Sequence, residues 1–282
     1  MKKFPKFLFY CLLIFSTLFL INKFIQTPKS DKLYVYFLDV GQGDSTLIQY
    51  MDNTILIDSG PKSSEDKILS YLKQLKLKDI DFLVSTHPHE DHIGNMDEII
   101  DTIKVKKFYA PHVSVETEEF SDLINSLNRQ NLQITILNQD TASINLGDDI
   151  RVDIFYPFKG LETENLNNYS SVIKITFKET SFLFTGNAEK EVNDYLLSNK
   201  LPIQSDVLKL GHHGSNTSLD EYFLSEVSPK LAIASCGYNN SYNHPSSSVI
   251  ELLNSNNIPL LRTDLTGSII LSSDGKNISI EN

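Results

Sequence analysis

Apolar positions along this chain fall into short runs of two periods. Leu33 to Leu38 alternates tyrosine with aliphatics and predicts a strand, and Thr46 to Gln49 and Thr54 to Ile57 predict two more. Lys67 to Leu75 instead sets Ile68, Leu69, Leu72 and Leu75 on one helical face. Ile80 to Val84 then reads as a short buried strand, followed by a helix from Asn95 to Ile103 with Met96, Ile99, Ile100 and Ile103 inward. The alternation continues with a strand at Lys106 to Ala110, a helix at Phe120 to Arg129 and strands at Ile134 to Leu137 and Ile150 to Tyr156. Beyond them come strands at Val172 to Phe177 and Ser181 to Phe184, a helix at Glu189 to Leu197, and strands at Asp206 to Leu210 and Lys230 to Ala234. A helix at Ser248 to Leu253 and strands around Leu260 and Ile269 to Leu271 complete the pattern. Strands alternating with single helices predict α/β layers. The run from Ile55 to Gly60, an apolar strand with a small polar end before a helix, is echoed from Ser181 to Leu197 and hints at two similar halves.

Residues 1–30 follow a different pattern. Lys2, Lys3 and Lys6 precede an apolar run from Phe7 to Ile21 that only Ser16 and Thr17 interrupt, and Asn22 and Lys23 close it. This predicts a membrane segment. Its two forms are a cleaved signal peptide, with a secreted product, and a retained anchor. No small-x-small cleavage site follows the run, and Tyr10 before Cys11 does not suit a lipoprotein site. The expectation is therefore an uncleaved, single-pass anchor in the cell membrane, with its lysine-rich end in the cytoplasm and residues 31–282 outside as one domain.

All 36 acidic residues and 20 of the 25 basic ones lie from Asp31 onward, so this part carries −16. Such a charge repels nucleic acid at long range and excludes a basic binding face; a polyanionic substrate would have to be held by metal and local donors. With Cys11 in the apolar run, Cys236 has no partner, which excludes an internal disulfide and predicts a small buried residue.

The densest chemistry lies in Thr86-His87-Pro88-His89-Glu90-Asp91-His92, on the loop that leaves the Ile80 to Val84 strand. On extended backbone, His87 and His89 face the same side and can grip one ion as a pair; Pro88 keeps His87 out of helical geometry. Asp91 and His92 follow the turn into a helix and aim at a second position. Imidazole and carboxylate are ligands that zinc, manganese or iron take in catalytic sites. Other strand ends deliver Asn187, the pair His212-His213 between Gly211 and Gly214, and His244 before Pro245. The glycines at 211 and 214 permit close approach by a ligand. His112 has no local partner and reads as a surface histidine.

His-x-His-x-Asp-His is the signature of the metallo-β-lactamase fold. From Leu33 onward the chain resembles the metallo-β-lactamase domain of the ComEC/Rec2 competence family. The matching segments are Phe37 to Asp44, Thr86 to Gly94, Asn167-Asn168-Tyr169-Ser170, Leu183 to Gly186, Leu208 to Ser215 and Asn243-His244-Pro245. The resemblance implies an αββα four-layer metallo-β-lactamase sandwich with one or two divalent ions, zinc or manganese, in a cleft at the sheet edges. His87 and His89 would bind one ion, and Asp91 and His92 the other. His244 would be the late-chain ligand, and Asn187 would stand where relatives carry a bridging aspartate. Asp91, His212 and His213 would serve catalysis. The implied activity is phosphodiester hydrolysis on DNA or RNA outside the membrane, as a nuclease. A small-molecule ester or lactone hydrolase and a degenerate metal-dependent binding domain are the alternatives, the last because Asn187 lacks the bridging charge.

Overall fold

In the computed structural model, which describes residues 31–141 and 144–281, the apolar runs become two sheets. The first sheet has eight strands: β1 (Leu33–Phe37), β2 (Thr46–Tyr50), β3 (Asn53–Ile57), β4 (Asp79–Val84), β5 (Lys104–Ala110), β6 (Ile134–Ile136), β13 (Ile269–Ser273) and β14 (Ile278–Glu281), in the order β14-β13-β1-β2-β3-β4-β5-β6. The second has six: β7 (Ile150–Tyr156), β8 (Val172–Phe177), β9 (Thr180–Phe184), β10 (Val207–Lys209), β11 (Leu231–Ala234) and β12 (Leu260–Arg262), in the order β12-β11-β10-β9-β8-β7.

Burial explains the stacking. Val35, Phe37, Ile48, Ile55 and Ile57 of the first sheet meet Ile173, Ile175, Phe177, Phe182 and Phe184 of the second in one continuous core. The outer face of the first sheet packs Leu47, Leu56 and Leu83 against α1 (Glu65–Gln74), α3 (Met96–Thr102) and α4 (Glu118–Arg129) through Ile68, Leu72, Ile99, Leu123 and Leu127. The outer face of the second covers Leu183, Leu208 and Ala232 with α5 (Lys190–Ser198), α6 (Glu221–Val227) and α7 (Ser247–Ser255) through Val192, Leu196, Phe223 and Val249. Helices thus flank both sheets. Strands with apolar residues on both faces follow from this double cover.

The hint of two halves becomes a shared connectivity. β2 and β3 are antiparallel, and β3 leads through α1 to the parallel strand β4; β8 and β9 are antiparallel, and β9 leads through α5 to the parallel strand β10. Asp58 and Asn187 leave corresponding strands, as do the His87–His92 loop and the His212–His213 pair. All these strand ends collect at one edge of the sandwich, as the topology of parallel strands requires.

The sequence pattern overlooks α6 and β14. Both are short, and their apolar periods are too brief to read. Asn165 to Ser171, which includes the matching segment Asn167-Asn168-Tyr169-Ser170, folds into a 3-10 turn over Leu166–Tyr169. The membrane segment expected over residues 1–30 lies outside the described residues; among those described, no helix is long and apolar enough to cross a membrane.

Candidate metal centre

After β4, the chain bends over Thr86–Pro88, is extended at His89 (φ −78°, ψ 148°) and then enters the one-turn helix α2 (Glu90–Ile93), so the uniformly extended backbone expected for the histidine pair is not what forms. This bend brings His87 Nε2 within 3.0 Å of His89 Nδ1. Two ring nitrogens at that separation face one point. Burial, followed by the neighbouring His92 and His89 rings, holds the His87 imidazole well below its ordinary pKa, and burial lowers His89 as well. Both are therefore kept neutral, the form that binds metal.

His92 turns the other way. Its Nδ1 lies 2.7 Å from Asp58 Oδ2, while its Nε2 is buried, has no hydrogen-bond partner and sits 3.7 Å from Asp91 Oδ2. Asp58 also accepts from the Thr86 N–H (2.8 Å) and hydroxyl (2.7 Å), so it fixes the start of the histidine loop and the His92 ring together. The arrangement is that of a carboxylate orienting a metal-binding imidazole. Ser59 and Asn95 secure the same turn: Ser59 N–H donates to the His92 carbonyl at 2.7 Å, and Asn95 Nδ2 donates to the carbonyls of Ser59 and Pro61.

The second sheet supplies the opposite wall. His212 and His213 both adopt left-handed backbone (φ 46° and 56°), which turns their side chains to different places. His213 is buried, donates from Nδ1 to the Ser235 carbonyl at 2.9 Å, and places Nε2 3.0 Å from Asp91 Oδ2. His212 is half-buried and directs Nδ1 to Glu189 Oε1 at 3.1 Å. Ligand atoms of Asp91, His92 and His213 lie within 4.8 Å of one another, as do those of Asp44, Asp58 and His92.

Asp44 is the member that local sequence conceals. It follows Gly43, whose backbone lies so close to Asp91 that a Cβ there would stand 2.4 Å from the Asp91 carbonyl oxygen. Its Oδ2 pairs with the buried Lys209 ammonium, and its Oδ1 lies 3.6 Å from His213 Nδ1. Burial pushes the Asp44 carboxyl up, but Lys209 and His213 outweigh that and hold it well below the usual carboxylate range. Burial likewise raises Asp91 less than His92 and His213 lower it. Asp44 and Asp58 thus add two carboxylates to the Asp91 that the sequence singled out. Each sits singly at a turn, Asp44 directly after Gly43 and Asp58 two residues before Gly60, and reads locally as a turn residue.

Asn187 is buried, takes Ser170 Oγ on its backbone N–H at 2.9 Å, and points an Oδ1 without a hydrogen-bond partner. Asn168 turns away, donating to Glu191 at 3.2 Å. His244 lies one ring further out than His213: its ring centroid is 6.5 Å from that of His213 and 5.4 Å from that of His212. Burial, then His212 and His213, depress its pKa to about 4. His112 is exposed, and Cys236 is fully buried.

The donors suit a divalent ion. Burial lowers the pKa of His213, yet Asp44 and Asp91 raise it to about 9. The electrostatics that favour a proton between His213 and Asp91 favour a cation there equally. The orphaned His92 Nε2 and the neutral His87–His89 pair complete a set of imidazole and carboxylate donors.

Two packed sheets and a histidine–aspartate cluster at one sheet edge define a metallohydrolase-type fold. The chain matches the metallo-beta-lactamase superfamily over residues 38–238 and belongs to it. Among its relatives, ComE operon protein 3 of Bacillus subtilis is 31% identical, over 87% of this chain and 34% of that protein. Competence protein ComA of Neisseria gonorrhoeae is 30% identical, over 82% of this chain and 31% of that protein. The chain thus spans about a third of the length of these relatives. The crystal structure of the metallo-beta-lactamase fold protein YhfI from Bacillus subtilis superposes with a TM-score of 0.59 at 10% identity, covering 86% of this chain and all of that one, a likeness of fold.

Proposed function

We propose that the chain is a metal-dependent phosphodiesterase acting on nucleic acid. The observation that carries this reading is the convergence of His213, from the second sheet, with Asp91 and His92, from the first, beside the His87–His89 pair. Competence and recombination proteins among the relatives support a nucleic-acid substrate. In this assignment His87, His89, Asp91, His92 and His213 hold the metal, zinc or manganese, and His244 stands at the rim. When bound, a divalent ion lowers the pKa of water and polarises a phosphoryl oxygen.

The side chains do the remaining work. Asp91, between His92 and His213, is held ionised and accepts a proton from water. Asp58 and the Ser235 carbonyl fix the rings of His92 and His213, so neither reorients during turnover. His212, tethered to Glu189, faces the more open side and contacts the phosphoryl group.

The test is cleavage of a labelled oligonucleotide by the full chain with added Mn2+ or Zn2+. Cleavage that disappears on chelation and in His89→Ala supports the reading. Turnover of small chromogenic esters with nucleic acid untouched would replace it with an ester or lactone hydrolase, and binding without turnover of either would make the chain a metal-dependent binding domain.

A further inference from the structure

The loop between β11 and α7 carries two tyrosines in open solvent, Tyr238 at 73% exposure and Tyr242 at 66%. Single exposed aromatics are ordinary, but these lie on a pinned loop that leads into the metal centre. Asn240 Nδ2 donates to the carbonyls of Gly237 (2.9 Å) and His244 (2.6 Å), and its Oδ1 accepts from the His244 N–H at 2.9 Å. The Gly237 N–H donates to Gln42 Oε1 at 3.0 Å, which ties the loop to the glycine turn before Asp44.

The rings form a relay. Tyr242 stacks on His244, with centroids 5.7 Å apart and planes 25° from parallel. His244 meets His212 edge-on at 5.4 Å, and the next ring inward is His213, which contacts Asp91. Charge distinguishes the loop further. In a chain with 36 acidic residues, the loop from Ser235 to Ser246 carries no acidic side chain and no lysine or arginine of its own.

We propose that Tyr238 and Tyr242 form a base-stacking rim, which holds the nucleobase next to the phosphodiester presented to the centre. The inference rests on the phosphodiesterase reading and names how that site takes its substrate. An acidic domain gains little from phosphate pairing, whereas stacking on a neutral aromatic face needs no basic surface and accepts any base. The Tyr242–His244 stack sets the direction, since a base laid along it lies beside His212 and His213.

The test uses the full chain with Mn2+ and three substrates: a short single-stranded oligonucleotide, the same oligomer with abasic sites flanking the cleavable bond, and methyl p-nitrophenyl phosphate. Tyr242→Leu and the double variant Tyr238→Leu/Tyr242→Leu should raise KM for the oligonucleotide about tenfold, within the range of one lost base stack. Tyr242→Phe should keep it, and turnover of the methyl ester and metal content should stay at wild-type values. The abasic oligomer should bind poorly to the wild type and be indifferent to the substitutions. A parallel titration on chelated protein, read by tyrosine fluorescence, needs no turnover. Quenching by the intact oligonucleotide that the double variant loses would support the rim even where the wild type hydrolyses nothing, a result that would sink only the phosphodiesterase reading. Equal binding of intact and abasic oligomers, or a KM unchanged in the double variant, would overturn the proposal. So would an equal loss on the methyl ester, because the tyrosines would then shape the centre itself.

Discussion

At the scale of single residues, the histidines of the centre divide into two groups with opposite responses to pH. Burial and neighbouring rings lower the pKa of His87, His89, His212 and His244, whereas carboxylates raise His92 and take His213 to about 9. For the lowered group the unfolded chain binds more protons, so metal-free protein should lose stability as pH falls from about 6.5 toward 4. For His92 and His213 the folded chain binds more protons. Their stabilisation is complete below about 6.5 and is lost as pH rises toward 9, by about 3 kcal/mol for His213 alone. Thermal melts of chelated protein should therefore peak near neutral pH, and added metal should remove the alkaline decline, since ligands to an ion are already deprotonated. An apo melting temperature that rises steadily from pH 6.5 to 9 would contradict this assignment. The same geometry ranks the two adjacent histidines. His87→Ala, His89→Ala and His213→Ala should each lower metal content at least tenfold, as loss of a ligand does, while His244→Ala and the exposed His112→Ala should retain it by elemental analysis. Sequence could not rank His212 against His213, because both occupy left-handed positions of one turn and only the direction of each ring, toward Glu189 or toward Asp91, separates them.

At the scale of elements, the centre is a junction of loops whose backbones touch. The Asp44 N–H donates to the Asp91 carbonyl at 3.1 Å, the Ser171 N–H to the Thr86 carbonyl at 3.1 Å, and the His212 N–H to the Gly186 carbonyl at 3.0 Å. Gly43 and Gly214 are glycine because their neighbours leave no room: a Cβ on Gly214 would stand 2.7 Å from Pro245 Cβ. Gly43→Ala should therefore displace the Asp91 turn, destabilise the fold by roughly 1–3 kcal/mol and weaken metal binding, measured by denaturant melts with and without metal. Unchanged stability and metal affinity would mean that the turn yields freely. The histidine loop was legible in sequence because its spacing is local: four donors within six residues, on a strand end and one helical turn. Asp44 and Lys209 were not, because they are 165 positions apart and meet only once the two sheets stack. Asp58 was hidden for the same reason, since its partners lie on the next parallel strand's loop.

At the scale of the whole molecule, period and alternation indicated an α/β layered fold, and the two sheets with flanking helices bear that out. The pairing of strands into two halves was only hinted at, because strand order is a long-range property that short apolar runs do not encode. Residues 32–282 form a compact unit. Expressed from about residue 31, they should melt cooperatively as soluble protein, and protease added to intact cells should remove this unit from a chain anchored by residues 1–30. Insoluble product would move the boundary, and complete protection would refute the proposed orientation.

The central claim is a hydrolytic centre dependent on metal and built from both sheets, and a metal titration of activity tests it directly. Asn187, which the family resemblance sets where relatives carry a bridging aspartate, supplies no charge there, and two divalent ions roughly 3.5–4 Å apart repel strongly without one. Chelated protein, titrated with Mn2+ or Zn2+ while oligonucleotide cleavage and bound ion are measured together, should regain turnover in proportion to ion up to one tightly held equivalent per chain. Asn187→Asp should extend that to two and raise the rate, and His89→Ala should regain neither. Cleavage by the chelated wild type, or a full complement of tightly bound metal with no hydrolysis of any diester, would contradict the account.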